Sequence, residues 1–146
     1  MEAEADRHPL VEPTTGWPLV ARIWRTVDVD RTVAGLGVEG DPLGPDELLG
    51  ARGVLVRPDD GPPVAILEPS TEGPLAAALA RADEGDAGAY VAAPGGLDGA
   101  RAVAALGVGR EAAGPFGRSA LAAAVSGGID GTFIVIVDSP PATIDR

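Results

Sequence analysis

The chain has no cysteine, lysine, asparagine or glutamine, and its only histidine is His8. Without cysteine there is no disulfide framework, no zinc-thiolate site and no thiol nucleophile. One histidine cannot build a two-His-one-carboxylate iron site or a His-rich catalytic zinc site within one chain. A Ser-His-Asp triad would have to recruit His8, and Ser70, Ser119, Ser126 and Ser139 lack a nucleophile-elbow context. An all-carboxylate site for Mg²⁺ or Mn²⁺ stays open, since those ions accept oxygen ligands. No apolar run reaches the roughly 18 residues needed to cross a bilayer. The first 15 residues are acidic and carry no apolar signal core, so a cytoplasmic location is the expectation. All 11 basic residues are arginine, against 22 acidic ones, for a net charge of −11. That charge disfavours nucleic acid and anionic membranes as partners and admits a cationic ligand. Ordinary solubility is the plainer reading of the same charge.

What the chain does contain is a partial copy of itself. At an offset of 70, Asp28, Arg31, Val33, Ala34, Leu36, Gly37 and Val38 match Asp98, Arg101, Val103, Ala104, Leu106, Gly107 and Val108. Two copies are too few for a solenoid, so two pseudo-symmetric halves in one domain are expected. A ligand site would lie between them.

Both halves predict the same order of elements. In the first, residues 19–27 form a β-rich run and 28–36 a short helix stopped by Gly37. Residues 39–50 read as loop with at most a short irregular strand. Residues 53–58 and 63–68 are strands joined by the hairpin signal Asp59-Asp60-Gly61. Residues 74–82 form an Ala-rich linking helix. In the second half, 87–93 is a strand, 97–106 a helix stopped by Gly107, and 110–113 a short strand. Residues 119–125 and 132–138 are the last strands, joined through Ser126-Gly127-Gly128. The fold class is α+β: paired β-α-β-β-β modules forming a cupped mixed sheet in a single domain. Module one covers 17–70 and module two 87–139, with tails at 1–16 and 140–146. The match of Gly35 to Gly40 to G-x-G-x-x-G is discounted, because a helix precedes it and a Pro-rich loop follows.

This layout resembles the vicinal oxygen chelate superfamily, which includes glyoxalase I, extradiol dioxygenases, methylmalonyl-CoA epimerase and the bleomycin-binding proteins. Four segments carry the likeness: Thr26 to Asp30, Leu48 to Arg52, Ile66 to Pro69, and Gly114 to Arg118. The resemblance implies a divalent metal in the cup, held from strands one, four, five and eight. Carried across with a one-residue slip, strand one offers Leu19, Val20 or Ala21. Strand four offers Val64, Ala65, Ile66 or Leu67. Strand five offers Gly88, Ala89, Tyr90 or Val91, and strand eight Phe133, Ile134, Val135 or Ile136. Only Tyr90 is polar, so no metal and no cofactor are expected.

Alternation along the first strand puts Val20, Arg22, Trp24 and Thr26 on one face and Leu19, Ala21, Ile23 and Arg25 on the other. The first set is the more amphipathic and is expected to line the open cup with Tyr90. The expected ligand-binding residues are Arg22, Trp24, Arg57, Glu68, Tyr90 and Phe133. Core packing for the aromatics, and surface exposure for the arginines, are the plainer roles. Asp28 and Asp30 read as helix-start residues. The leading expectation is metal-independent binding of a small organic ligand, as in antibiotic sequestration, without catalysis. The alternative is a metal-independent isomerase, cyclase or lyase with carboxylate or Tyr90 acid–base chemistry. A third reading is an interaction module whose cup is filled by side chains. Homodimerisation is implied by the resemblance.

Overall fold

The computed structural model describes residues 16–126 and 131–138. The expected tails fall outside this range apart from Gly16, as do His8, Gly127 and Gly128. In chain order the elements are β1 (Leu19–Arg25), α1 (Val29–Leu36), β2 (Asp41–Asp46), β3 (Ala51–Val56) and β4 (Val64–Pro69). They continue with α2 (Pro74–Ala82), β5 (Gly85–Ala92), α3 (Gly96–Arg101), β6 (Val108–Gly114), β7 (Gly117–Ala122) and β8 (Phe133–Val137). Short 3₁₀ turns lie at Ala104–Leu106 and Ala123–Val125.

All eight strands join one sheet in the order β2-β3-β4-β1-β5-β8-β7-β6. Each half contributes a run of four, and the halves meet where β1 pairs antiparallel with β5. The parallel pairs, β1 with β4 and β5 with β8, occupy matching places on either side of that seam. The sheet curls until its two ends approach, and the Glu47 N–H donates to Ala113 O at 3.1 Å. This is the paired-module cup expected from the repeat.

The helix signals act as chemistry requires. Asp28 caps α1 by accepting the Arg31 N–H at 3.1 Å. Gly37 ends it at φ 71°, a conformation other residues reach only with strain. Glu68, at the end of β4, accepts the Val29 N–H at 2.8 Å. Asp138, just after β8 and 70 residues later, accepts the Leu97 N–H at 2.9 Å. A last-strand carboxylate thus anchors the helix start in both halves.

Two sequence expectations are corrected. The helix expected over 97–106 breaks into α3 and a 3₁₀ turn, with Val103 extended between them. Its apolar positions Leu97, Ala100, Val103 and Leu106 repeat every third residue, which drifts around a 3.6-residue helix. The break lets Leu97, Ala100 and Leu106 all bury. The loop expected over 39–50 holds β2, a paired strand despite Pro42 and Pro45. It lies at the sheet edge, where a missing N–H is tolerated, and a register shift separates Leu43 from Asp46.

Three apolar clusters hold the sheet. The inner face packs Ala21, Ile23, Leu55, Leu67, Tyr90, Phe133 and Val135 into one cluster that also takes Leu75 and Ala78 of α2. On the outer face, α1 covers Val56 and Ile66 of module one, while Leu97 and Ala100 of α3 cover Ile134 and Ile136 of module two. No helix among the described residues is long and apolar enough to cross a membrane.

Candidate functional site

Inside the cup, one polar constellation stands among the apolar side chains. The register shift at the end of β2 turns Asp46 inward. Its Oδ1 accepts the Leu49 N–H at 2.9 Å, capping the turn that follows. Its Oδ2 accepts the Tyr90 hydroxyl proton at 2.7 Å, across 44 residues of chain. Tyr90 is 0% exposed, and its ring meets Phe116 edge-on with centroids 4.9 Å apart. The buried Ser119 hydroxyl has no hydrogen-bond partner among the described residues. A methyl at Gly114 would lie 2.9 Å from Ser119 Oγ and 4.0 Å from Asp46 Oδ2, so the bare Gly114 backbone lets both side chains approach one point.

Burial raises the Asp46 pKa above the ordinary 3.8, against the lowering effect of hydrogen bonds from Tyr90, Leu49 and Leu48. Burial, and then the Asp46 charge, push the Tyr90 hydroxyl well above its usual 10.0. The pair is therefore a carboxyl that can hold or release a proton beside a hydroxyl that keeps its own. A raised carboxyl pKa means the native state binds this proton more tightly than the unfolded chain. The associated penalty is absent below about pH 4 and grows as pH rises through the raised value. Asp46→Asn should therefore gain stability relative to the parent between pH 4 and 7. Denaturant melts of both proteins at those pH values test this, and a pH-independent difference would refute it.

The six residues expected to share one cavity do not. Tyr90 and Phe133 lie together in the inner cluster. Trp24 lies on the outer face, beside Val56, Val64 and Ile66 near α1. Arg22, on the Trp24 side of β1 by alternation, faces Asp86 at 3.7 Å. Arg57 is exposed, 3.8 Å from Asp41. Glu68 is spent on the α1 start and on Arg52, whose Nε donates to it at 3.0 Å. The face assignment of β1 is thus reversed from Ala21 onward, where Ala21 and Ile23 look inward, whereas Val20, before the register shift between Leu19 and Ala21, packs in the inner cluster as expected. Alternation defines two faces, but the position of α1 decides which is outer.

Nothing in the sequence singles out Asp46, and Ser119 stands there only as a serine without a nucleophile elbow. Asp46 sits in a Pro-rich stretch that signals only a turn, and its spacing to Leu49 signals only a cap. A cleft of about 420 Å³ opens next to them, between Glu47, Leu48 and Gly50 of module one, Thr71–Pro74 of the segment that links the modules, and Gly109, Arg110, Leu121 and Ala123 of module two. Glu47 and Leu48 follow Asp46 directly, and Leu121 shares the inner side of β7 with Ser119.

No family model matches the sequence, and no curated protein matches it. Solved structures do. Methylmalonyl-CoA epimerase from Mycobacterium tuberculosis aligns with 92% of this chain and 97% of its own, at 16% identity and a TM-score of 0.64. A Streptomyces coelicolor methylmalonyl-CoA epimerase variant in complex with 2-nitronate-propionyl-CoA covers 84% and 97%, at 19% identity and a TM-score of 0.62. A hypothetical protein from Bacillus halodurans covers 86% and 96%, at 16% identity and a TM-score of 0.60. This is the vicinal oxygen chelate fold.

In that fold the resemblance placed metal ligands on β1, β4, β5 and β8. The inward side chains there are all apolar but one, and include Ala21, Ile23, Ala65, Leu67, Tyr90, Ala92, Phe133 and Val135. They offer a single oxygen, which Asp46 already engages, so this donor set does not fit a divalent ion. Among the described residues no three histidine, cysteine, aspartate or glutamate side chains gather as a metal site. The expectation of a sequestering protein is also corrected. Those neighbours with a stated activity are epimerases, which turn over their ligand rather than store it.

Proposed function

We propose that this chain is an isomerase that moves a proton on a carbon acid, with Asp46 as the acid–base group and no divalent metal. The observation that carries this reading is the Asp46–Tyr90 pair: a sheltered carboxyl of raised pKa, oriented by a 2.7 Å hydrogen bond, inside the cup. As carboxylate, Asp46 takes the hydrogen from the carbon next to a substrate carbonyl. The C–H electron pair moves into the carbonyl to give an enolate; rotation of the enolate presents its other face to Asp46, which returns the proton it took, or one exchanged with solvent, and so inverts the carbon. Tyr90 stays protonated and holds the Asp46 oxygen in place. Substrate reaches Asp46 through the cleft between the modules, which requires the Glu47–Ala113 hydrogen bond at its edge to open. The activity of the structural neighbours makes an acyl thioester the first substrate to try. A cytoplasmic location and a homodimer belong to the same proposal.

The test is deuterium uptake by methylmalonyl-CoA in D₂O, followed by mass spectrometry with and without a chelator. Uptake is expected to survive the chelator and to fall by about 10² or more in Asp46→Asn. Uptake that Asp46→Asn leaves unchanged, or that the chelator abolishes, would overturn the mechanism.

One observation favours a second reading. The inner cluster fills the cup with buried side chains, from Leu49 to Tyr90 and Phe133. On that reading Asp46–Tyr90 is a structural clamp and the domain an interaction module. The absence of uptake with any acyl thioester, together with the Asp46 pH dependence described above, would select it.

A further inference from the structure

The duplicated halves differ on the outer face at the end of the helical region, and the difference leaves a groove that none of the described residues covers. In module two, the sequence Leu106-Gly107 ends the helical region with Gly107 at φ 60°, and Leu106 is 0% exposed. The turn Ala123–Val125 lies against it. A methyl on Gly107 would meet the Ala124 side chain at 3.4 Å, and Val125 packs on the cluster that contains Leu106. In module one, Leu36-Gly37 occupies the matching place with Gly37 at φ 71°, yet Leu36 is 57% exposed.

The cause lies in the chain after β3. Gly53 pairs with Leu67 as Ser119 pairs with Val137, so Ala123–Val125 corresponds to residues 57–59. There Arg57, Pro58 and Asp59 begin the hairpin to β4 and lead the chain away. What remains is a groove of about 340 Å³ walled by Trp24, Leu36, Val56, Pro58, Val64 and Ile66. Its lining is almost wholly apolar, and Trp24 is 41% exposed. Contiguous exposed apolar surface of this kind marks interaction sites.

Charge narrows the occupant. Asp59 and Asp60, which follow the groove wall at Pro58, are exposed and have no ion pair among the described residues, while Arg57, which precedes it, is faced by Asp41 at 3.8 Å. An anionic membrane would be repelled by this rim, and a two-fold contact of the groove with a second copy would set the acidic rim against itself. We propose that the groove docks a short segment of a partner protein, with small aliphatic side chains flanked by basic residues, laid as Ala123–Val125 lies in module two. This inference is independent of the isomerase reading.

The test uses the full chain with Trp17→Phe, so that Trp24 is the only tryptophan. The probe is a synthetic peptide with the sequence of residues 121–126 between two lysines at each end. A saturable blue shift of Trp24 emission is expected, with a dissociation constant of about 1 mM or tighter and weakening as salt screens the rim. The shift should fall at least about tenfold in Leu36→Glu, an exposed change that leaves the thermal midpoint in place. Leu36→Ser and amide shifts at Val56 and Val64 provide a second check. No saturable shift, an equal shift from a glutamate-flanked peptide, or a shift unaltered in Leu36→Glu would each overturn the proposal. Concentration-dependent burial of Trp24 without peptide would overturn it in favour of a second copy.

Discussion

Gly88→Ala should leave little or no folded protein. Gly88 sits in β5 near the seam, paired with Ile23 of β1 on one side and Phe133 of β8 on the other. Its φ of 107° lies in a region that L side chains rarely adopt, which is a strain in itself. A methyl there would lie 1.9 Å from Phe133 O and 2.7 Å from Phe133 N. Both are backbone atoms of the adjoining strand, so relief requires the β5–β8 pair to part. The expected loss exceeds about 4 kcal/mol, a large share of the roughly 5–15 kcal/mol that stabilises a domain. Gly35→Ala is the matched control: its methyl meets nothing within 4 Å in α1. It should add about 0.5–1 kcal/mol through helix propensity and a less flexible unfolded chain. Soluble yield and denaturant melts decide. A Gly88→Ala protein as stable as its parent would show that β5 and β8 do not approach as closely as described.

Arg25→Met should cost about 3–5 kcal/mol. Arg25 ends β1 and is only 4% exposed. Its guanidinium donates to the carbonyls of Asp83 and Ala82 at the end of α2, and to Asp86 O at 2.7 Å and Gly131 O at 2.9 Å. One planar fork thus ties α2 to the starts of β5 and β8, where the halves of the sheet join. The cation also faces the negative end of the α2 dipole. Methionine replaces the stem but leaves those carbonyls without their donor, and a buried carbonyl deprived of its partner is costly. Hydrogen exchange should quicken first in α2 and the start of β5. A Met variant that melts with its parent would mean the carbonyls find other donors.

The two effects differ in how far the sequence foretold them. Local chemistry was legible wherever a residue acts on its own neighbourhood. Asp28 and Gly37 bound a helix by capping and by left-handed backbone, and both lie within four residues of the groups they serve. The Asp59-Asp60-Gly61 turn joined two strands for the same reason. The repeat from Asp28 to Val38 was legible because duplication leaves its record in the chain, and it implied a pseudo-symmetric pair of modules before any contact was known.

The candidate site was not legible in this way. Tyr90 and Phe133 fell inside the cup because strand alternation limits each to two faces. The same rule put Trp24 on the wrong side, since nothing in β1 itself says where α1 will lie. Asp46 and Tyr90 are 44 residues apart, and their hydrogen bond exists only because β2 bulges and the sheet curls over β5. Arg25 looked like any strand-end arginine until α2, β5 and residue 131 converged on it. Sequence alone therefore determined the caps, the turns, the repeat and the poverty of metal ligands, all of which depend on residue type and short spacing. The tertiary structure alone decided which carboxylate was buried beside a hydroxyl, which cation was enclosed and which apolar face stayed uncovered. Those depend on where distant segments meet, and burial, not residue type, sets their energies.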